Sequence, residues 1–326
     1  STQAKTLFPY TTLFRSLNAL SRHEQLAIDF LKGGPGQDAP DVLCAVLDAS
    51  KLSVELRLLG QLSQLGGSLR ALRGIAPLSA GVMHLFDHAT DYDGAVEGFQ
   101  WPQLDQFNFA LEWFDVVAGQ HPDRAAVTIV DADLNAATTT YGELAARSDQ
   151  VANWLTGLGV RRGDAMIVML NNSIELWQIL LGLLKVGAVA IPTSTLLTDV
   201  DLAFRVDRAE ARFTIAPTAL ADRFTGLPAD VTRIGVGDPT DGWVDFAASA
   251  DAAADYQPDG PTPADDTCLL YFTSGTTARP KLVQHTQVSY PVGHLSTMWW
   301  LGVREGDVHL NFAARTTRIC RSRSRS

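Results

Sequence analysis

Apolar positions in this chain gather into runs of two kinds. Some repeat with a period near 3.6 and read as amphipathic helices, while others are short, continuous and flanked by turn residues, as strands buried on both faces are. From residue 107 the two kinds alternate. An apolar helix is expected over 107–114, a strand over Ala125–Val130 and another over 138–141. Thr140-Tyr-Gly-Glu143 has the spacing of a capping box and opens a helix running to Trp154. Arg161-Arg-Gly-Asp164 turns into a strand over 165–170, Asn171-Asn-Ser173 caps a helix over 174–186, and a strand follows over 187–192. A helix over 199–210 and strands over 211–215 and 231–236 extend the series. After an exposed linker over 252–265, marked by Pro258, Pro261 and Pro263, come two short strands, 266–270 and 282–285, and a helix over 288–301. Repeated strand–helix units favour mostly parallel sheets flanked by helices, so the expected fold class is α/β.

Composition narrows the class. The chain has 326 residues, 46% hydrophobic and 19% charged, which are globular values. A formal charge of −10 argues against a nucleic-acid binder. The most apolar stretch, 174–192, is interrupted by Glu175, Gln178 and Lys185, so it reads as a core helix entering a strand and no membrane span is expected. Cys44, Cys268 and Cys320 are too widely spaced for a disulfide framework or a metal quartet, and no signal peptide is seen; a cytoplasmic location fits best.

The stretch that carries chemistry is Tyr271-Phe-Thr-Ser-Gly-Thr-Thr-Ala-Arg-Pro-Lys281, set between the two short strands. Thr273, Ser274, Thr276 and Thr277 offer hydroxyl donors, Gly275 lets the backbone curl, and Lys281 brings a positive charge. A polyphosphate needs that combination. Pro280 removes a donor and holds Arg279 extended, fixing the angle of Lys281. A Walker A loop is excluded, because Lys281 follows Pro280 and precedes Leu282. An ordinary Ser/Thr/Gly surface loop is the plain alternative. Ile234-Gly-Val-Gly-Asp238 contains Gly-x-Gly but opens no long helix, so a dinucleotide site is not expected there.

The loop resembles the phosphate-binding signature of the adenylate-forming (AMP-binding) enzymes, Thr-Ser-Gly-Thr/Ser-Thr-Gly-x-Pro-Lys, with Ala278 replacing its second Gly. Residues 91–311 resemble the N-terminal portion of acyl-CoA synthetases of the acetyl and medium-chain type. The resemblance implies ATP-dependent activation of a carboxylic (fatty) acid to an acyl-adenylate and then to acyl-CoA. ATP, Mg2+ and coenzyme A would be the cofactors, and a small-molecule carboxylate and a nucleotide the partners. It assigns nucleotide contacts to Thr273, Ser274, Gly275, Thr276, Thr277 and Lys281, and places no catalytic residue or metal ligand in this chain. The family's Tyr-Gly-x-Thr-Glu and Thr-Gly-Asp elements occur nowhere in the sequence. The chain is therefore expected to be a truncated portion, inactive by itself.

The remaining segments have a different character. Residues 1–16 are expected to be unstructured, and 8–16 resemble a translated sequencing adapter. Residues 17–66 read as a small α/β unit: a helix over 23–31, a Gly-rich breaker at 33–36, a strand over 41–48 and a helix over 54–65. That unit resembles a piece of the GTPase domain of ferrous-iron transporters but has no phosphate loop with Gly-Lys-Ser/Thr. Residues 67–90 form a junction, with His84 and His88 one helical turn apart; a surface helix is preferred there to a metal site. Residues 312–326 form an Arg/Ser tail without periodicity. The rival functional class is accordingly a non-catalytic chimeric fusion, or a nucleotide-binding fragment of a GTPase-related protein.

Overall fold

The computed structural model describes residues 44–47, 78, 80–131, 135–273, 280–302 and 309–311. The helices expected over 23–31 and 54–65, the breaker at 33–36 and the tail 312–326 lie outside the described residues. Contacts divide the chain into Ser1–Val42 and Leu43–Ser326, and every described residue belongs to the second unit.

Two sheets organise that unit. The smaller has the order β11-β1-β2-β3, with β1 Cys44–Leu47, β2 Ala125–Val130, β3 Ala136–Thr140 and β11 His309–Asn311, all antiparallel. The larger has seven strands in the order β10-β9-β5-β4-β6-β7-β8. Its members are β4 Ala165–Val168, β5 Val189–Pro192, β6 Phe213–Pro217, β7 Thr232–Val236, β8 Val244–Asp245, β9 Thr267–Thr273 and β10 Lys281–Thr286. All pairings in it are parallel except that of the edge strand β10 with β9. The mostly parallel, helix-flanked sheet read from the strand–helix alternation is therefore present.

Among the described residues the α-helices include α1 Tyr92–Val96, α2 Asp115–Gln120, α3 Tyr141–Gly157, α4 Ile174–Val186, α5 Asp199–Arg208 and α6 Ser289–Leu301, and 80–87 are also helical. The helix expected over 107–114 is a π-helical turn, Ala110–Phe114, continuing into α2. Buried Asn108 helps to set its start: the Asn108 side chain accepts from the backbone of Ala110 and Leu111 and donates to Thr262 and to the Leu184 carbonyl. Among the described residues no helix is long and apolar enough to cross a membrane.

Side chains alternate across the large sheet. On β4, Met166 and Val168 pack with Val151 and Leu155 of α3 and with Ile179 and Leu183 of α4. Ala165 and Ile167, with Met169 just beyond the strand, face Leu202 and Val206 of α5 and Phe224. Both faces are thus covered, which is why the strand is apolar at every position. The capping box of α3 forms as the spacing predicts, Glu143 N donating to Thr140 Oγ1 at 3.2 Å and Thr140 N to Glu143 Oε2 at 2.8 Å. At α4 Ser173 occupies the cap position without a side-chain cap bond. Instead Asn171 Oδ1 accepts from Thr195 Oγ1 at 3.2 Å, tying the turn to the segment after β5.

Two glycines set the α3–α4–β5 packing. A Cβ at Gly182 would lie 2.6 Å from Val151 Cγ1, so the helices cross at a distance only glycine allows. Gly187, at φ +78°, ends α4 in the left-handed region and turns the chain into β5. Beside them Lys185 is fully buried. It pairs with Asp115 of α2 at 2.8 Å and Asp149 of α3 at 2.6 Å, joining three helices through one charge cluster.

Candidate nucleotide-phosphate site

In a parallel sheet the loops leaving the carboxyl ends of the strands open on one edge, the usual place for a ligand. β4 lies between β5 and β6, so the chain leaves β4 toward one side and returns to the other. β9 then adds beside β5, its Leu269 opposite Ala190. The sequence Thr-Cys-Leu-Leu-Tyr-Phe-Thr suits this inner position, being β-branched, aromatic or apolar throughout. The carboxyl end of β9 is Thr273, and there the hydroxyl-rich loop begins.

β10 returns antiparallel and places Lys281 opposite Thr273. Thr273 Oγ1 donates to the Lys281 carbonyl at 3.4 Å, across the mouth of the hairpin. Both residues are exposed. Of the expected site residues, the structure thus brings Thr273 and Lys281 together at the root of the loop. Ser274, Gly275, Thr276 and Thr277 lie outside the described residues.

Alternation divides the hairpin into two faces. Tyr271, Thr273, Lys281, Val283 and His285 share one, while Leu270, Phe272 and Leu282 share the other. On the first, the hydroxyls of Tyr271 and Tyr290 are 3.4 Å apart, with His285 edge-on to Tyr290 at 5.3 Å and His294 at 4.4 Å. Burial, and then the charge of His294, hold the His285 imidazole below its ordinary pKa. On the second face, the Arg205 guanidinium lies 4.7 Å from the centre of the Phe272 ring, and Phe204 packs against the same ring at 6.2 Å. Sequence reading missed Arg205, Phe204 and Tyr290 as neighbours of β9. For the two α5 residues no local signal exists, because strand order alone brings α5 beside β9.

Other groups near the hairpin are chemically quiet. Burial pushes the Cys268 thiol up to about 12, so it stays protonated and is no nucleophile at neutral pH. A cleft of about 300 Å3, lined among others by Arg161, Arg162, Tyr256, Asp259 and Thr262, sits at the amino edge of the sheet, away from the loop. Its Arg162 is occupied by Asp266. His88 pairs with Asp91 at 3.4 Å, and His84 Nε2 approaches the Ala95 carbonyl at 3.2 Å, contacts that hold the 80–98 region together. Trp299 donates to the His88 carbonyl at 3.3 Å and packs on the apolar core.

A large, mostly parallel sheet covered by helices on both faces, with a hairpin leaving its carboxyl edge, defines an open α/β protein. Within that class, residues 114–315 match the AMP-binding enzyme family, and the chain belongs to it. A mitochondrial acyl-coenzyme A synthetase of Mus musculus, ACSM5, is 32% identical over 222 residues, covering 64% of this chain and 38% of that protein. The 4-hydroxybutyrate–CoA ligase 1 of Metallosphaera sedula is 30% identical over 220 residues, covering 65% and 38%. Among solved structures, the acyl-CoA synthetase of Brucella canis superposes with a TM-score of 0.55 at 23% identity, over 60% of this chain and 38% of that one. An anthranilate CoA ligase in complex with anthranoyl-AMP superposes at 0.52 and 22%, over 58% and 36%. These superpositions establish the N-terminal α/β fold of the acyl-CoA ligases. The chain spans about two fifths of the length of the relatives it matches, 38% in the first of them.

Proposed function

We propose that this chain is the ATP-phosphate-binding portion of an enzyme that activates a carboxylic acid as its acyl-adenylate and then transfers the acyl group to coenzyme A. The observation that carries this function is the position of the hydroxyl-rich loop: it leaves the carboxyl end of an inner parallel strand and returns at Lys281. In this assignment Thr273, Ser274, Thr276 and Thr277 donate to the β- and γ-phosphates. Gly275 allows close approach of the backbone, and Lys281 offsets the charge that builds on departing pyrophosphate. Donors and a cation at an exposed hairpin root suit a polyphosphate. When bound, Mg2+ would neutralise phosphate charge. Among the described residues no group of three His, Cys, Asp or Glu could hold a metal, and none is assigned to it or to coenzyme A.

Residues 91–311 constitute the synthetase portion in this proposal, with the cytoplasm as its compartment. The polypeptide of 326 residues binds ATP without turning it over, because the Tyr-Gly-x-Thr-Glu and Thr-Gly-Asp elements are absent from its sequence. Calorimetric titration with ATP tests the site: Lys281→Met and Thr276→Val should each weaken binding, by roughly tenfold for the lysine. Equal affinity in parent and both variants would overturn the assignment of the loop. Fatty-acid-dependent exchange of pyrophosphate into ATP by the parent would overturn the claim that it does not turn over.

A further inference from the structure

Shielded arginines around the large sheet are, with one exception, supplied with protein oxygens. Arg147 donates to the Ser249 carbonyl at 3.0 Å and to its hydroxyl at 2.6 Å. Arg223 donates to the carbonyls of Thr195 and Leu197 at 2.6 and 3.0 Å, and Arg233 to those of Phe224, Leu227 and Pro228. Arg205 of α5 is also half-buried, yet among the described residues its guanidinium makes no hydrogen bond and no ion pair. Asp201, one turn earlier on the helix, acts on Arg205 only through its charge and accepts a hydrogen bond from Thr198 at 2.9 Å. What Arg205 has is a ring: its guanidinium rests 4.7 Å from the centre of Phe272.

A guanidinium stacked on an aromatic ring keeps its N–H donors in its own plane, pointing past the ring edge. Donors on a partly desolvated cation are costly to leave unfilled and bind an arriving anion strongly, two at a time if it is a phosphate. Phe272 is the residue immediately before Thr273. By strand alternation Phe272 and Leu282 present to the α5 face what Thr273 and Lys281 present to the other. The root of the loop is therefore flanked by a cation on each face, Lys281 on one and Arg205 on the other.

We propose that Arg205 is a second phosphate-binding residue of this site, held over the Phe272 ring with N–H donors left to receive an oxygen of the oligophosphate. This rests on the loop being the phosphate site. Inorganic pyrophosphate is the probe, titrated calorimetrically into the chain of 326 residues at two salt concentrations. Arg205→Met should weaken binding roughly tenfold and flatten its salt dependence, while Arg205→Lys, which keeps charge but not the planar fork, should recover only part. Arg208→Met, an exposed arginine on the same helix, should stay within about twofold of the parent. Should Arg205→Met not fold, as judged by circular dichroism, the comparison of Arg205→Lys with the parent decides. If Arg205→Met binds like the parent while Lys281→Met loses binding, Arg205 is no ligand and the loop assignment stands. If Arg205→Met loses binding and Lys281→Met does not, pyrophosphate binds apart from the loop, and both the loop assignment and the role of Arg205 as its second ligand are overturned. Equal losses in Arg205→Met and Arg208→Met would mean general attraction and overturn the role of Arg205; a parent that does not bind pyrophosphate would overturn both.

Discussion

Lys185 and Asp115 show why a close ion pair is not evidence of a comfortable one. They stand 2.8 Å apart, yet burial outweighs the attraction of the lysine and pushes Asp115 up to about 6. The folded chain therefore holds that proton to about pH 6, the unfolded chain only to about 4. Between those values the folded state binds more protons, so the contribution of Asp115 to stability falls as pH rises from about 4 to about 6, then stays level. Asp115→Asn lacks this slope. Across that interval it should gain on the parent by on the order of 2–3 kcal/mol, read as the difference between two series of urea unfolding curves; a pH-independent difference would show that Asp115 titrates normally. Removing the lysine acts in the opposite direction. Lys185→Met leaves Asp115 and Asp149 buried together without a counter-charge and should cost about 3–5 kcal/mol, read from urea unfolding curves.

At the scale of elements, α3 and α4 lock through a gap rather than a contact. A Cβ at Gly182 would fall 2.6 Å from Val151 Cγ1, so Gly182→Ala should destabilise by about 1–3 kcal/mol despite better helix propensity. Val151→Ala in the same chain should return part of that loss, since the space it vacates is the space the new methyl needs; strictly additive effects in a double-mutant cycle would refute the clash. Neither partner is identifiable in sequence, where Gly182 reads only as a weak helix former. What was legible was whatever nearby residues settle by themselves. The α3 capping box, the ends of α4 and the strand Ala125–Val130 follow from cap chemistry and periodicity over a few residues. Ser173 sits where the cap triplet puts it but makes no side-chain cap bond, and Asn171 of the same triplet bonds to Thr195, a partner 24 positions away. The loop proposed to bind phosphate could be singled out for the same local reason, its hydroxyls and cation lying in one short stretch of sequence. Arg205 was not, since its relation to Phe272 exists only after β9 has inserted beside β5.

At the scale of the whole molecule, the smaller sheet is assembled from the most distant pieces. β1, at residues 44–47, lies between β2 and β11, with Val46 opposite Thr128 on one side and Leu310 on the other. Periodicity predicts a buried strand over 41–48 but carries no information about its neighbours, and β11 was not anticipated at all. A strand flanked on both sides has no free edge, so a proline there removes a ladder bond and strains the backbone. Val46→Pro should therefore lower the thermal midpoint by several degrees, about 4 °C or more, if this sheet unfolds together with the seven-stranded one. Hydrogen exchange separates the possibilities. Protection lost in β2 and β3 and also in β4 and β5 would mean a single cooperative body. Loss confined to β2 and β3 would mean that the small sheet opens alone, leaving the hairpin at Thr273 and Lys281 intact. An unchanged midpoint with unchanged protection would mean that β1 contributes nothing to the fold in solution.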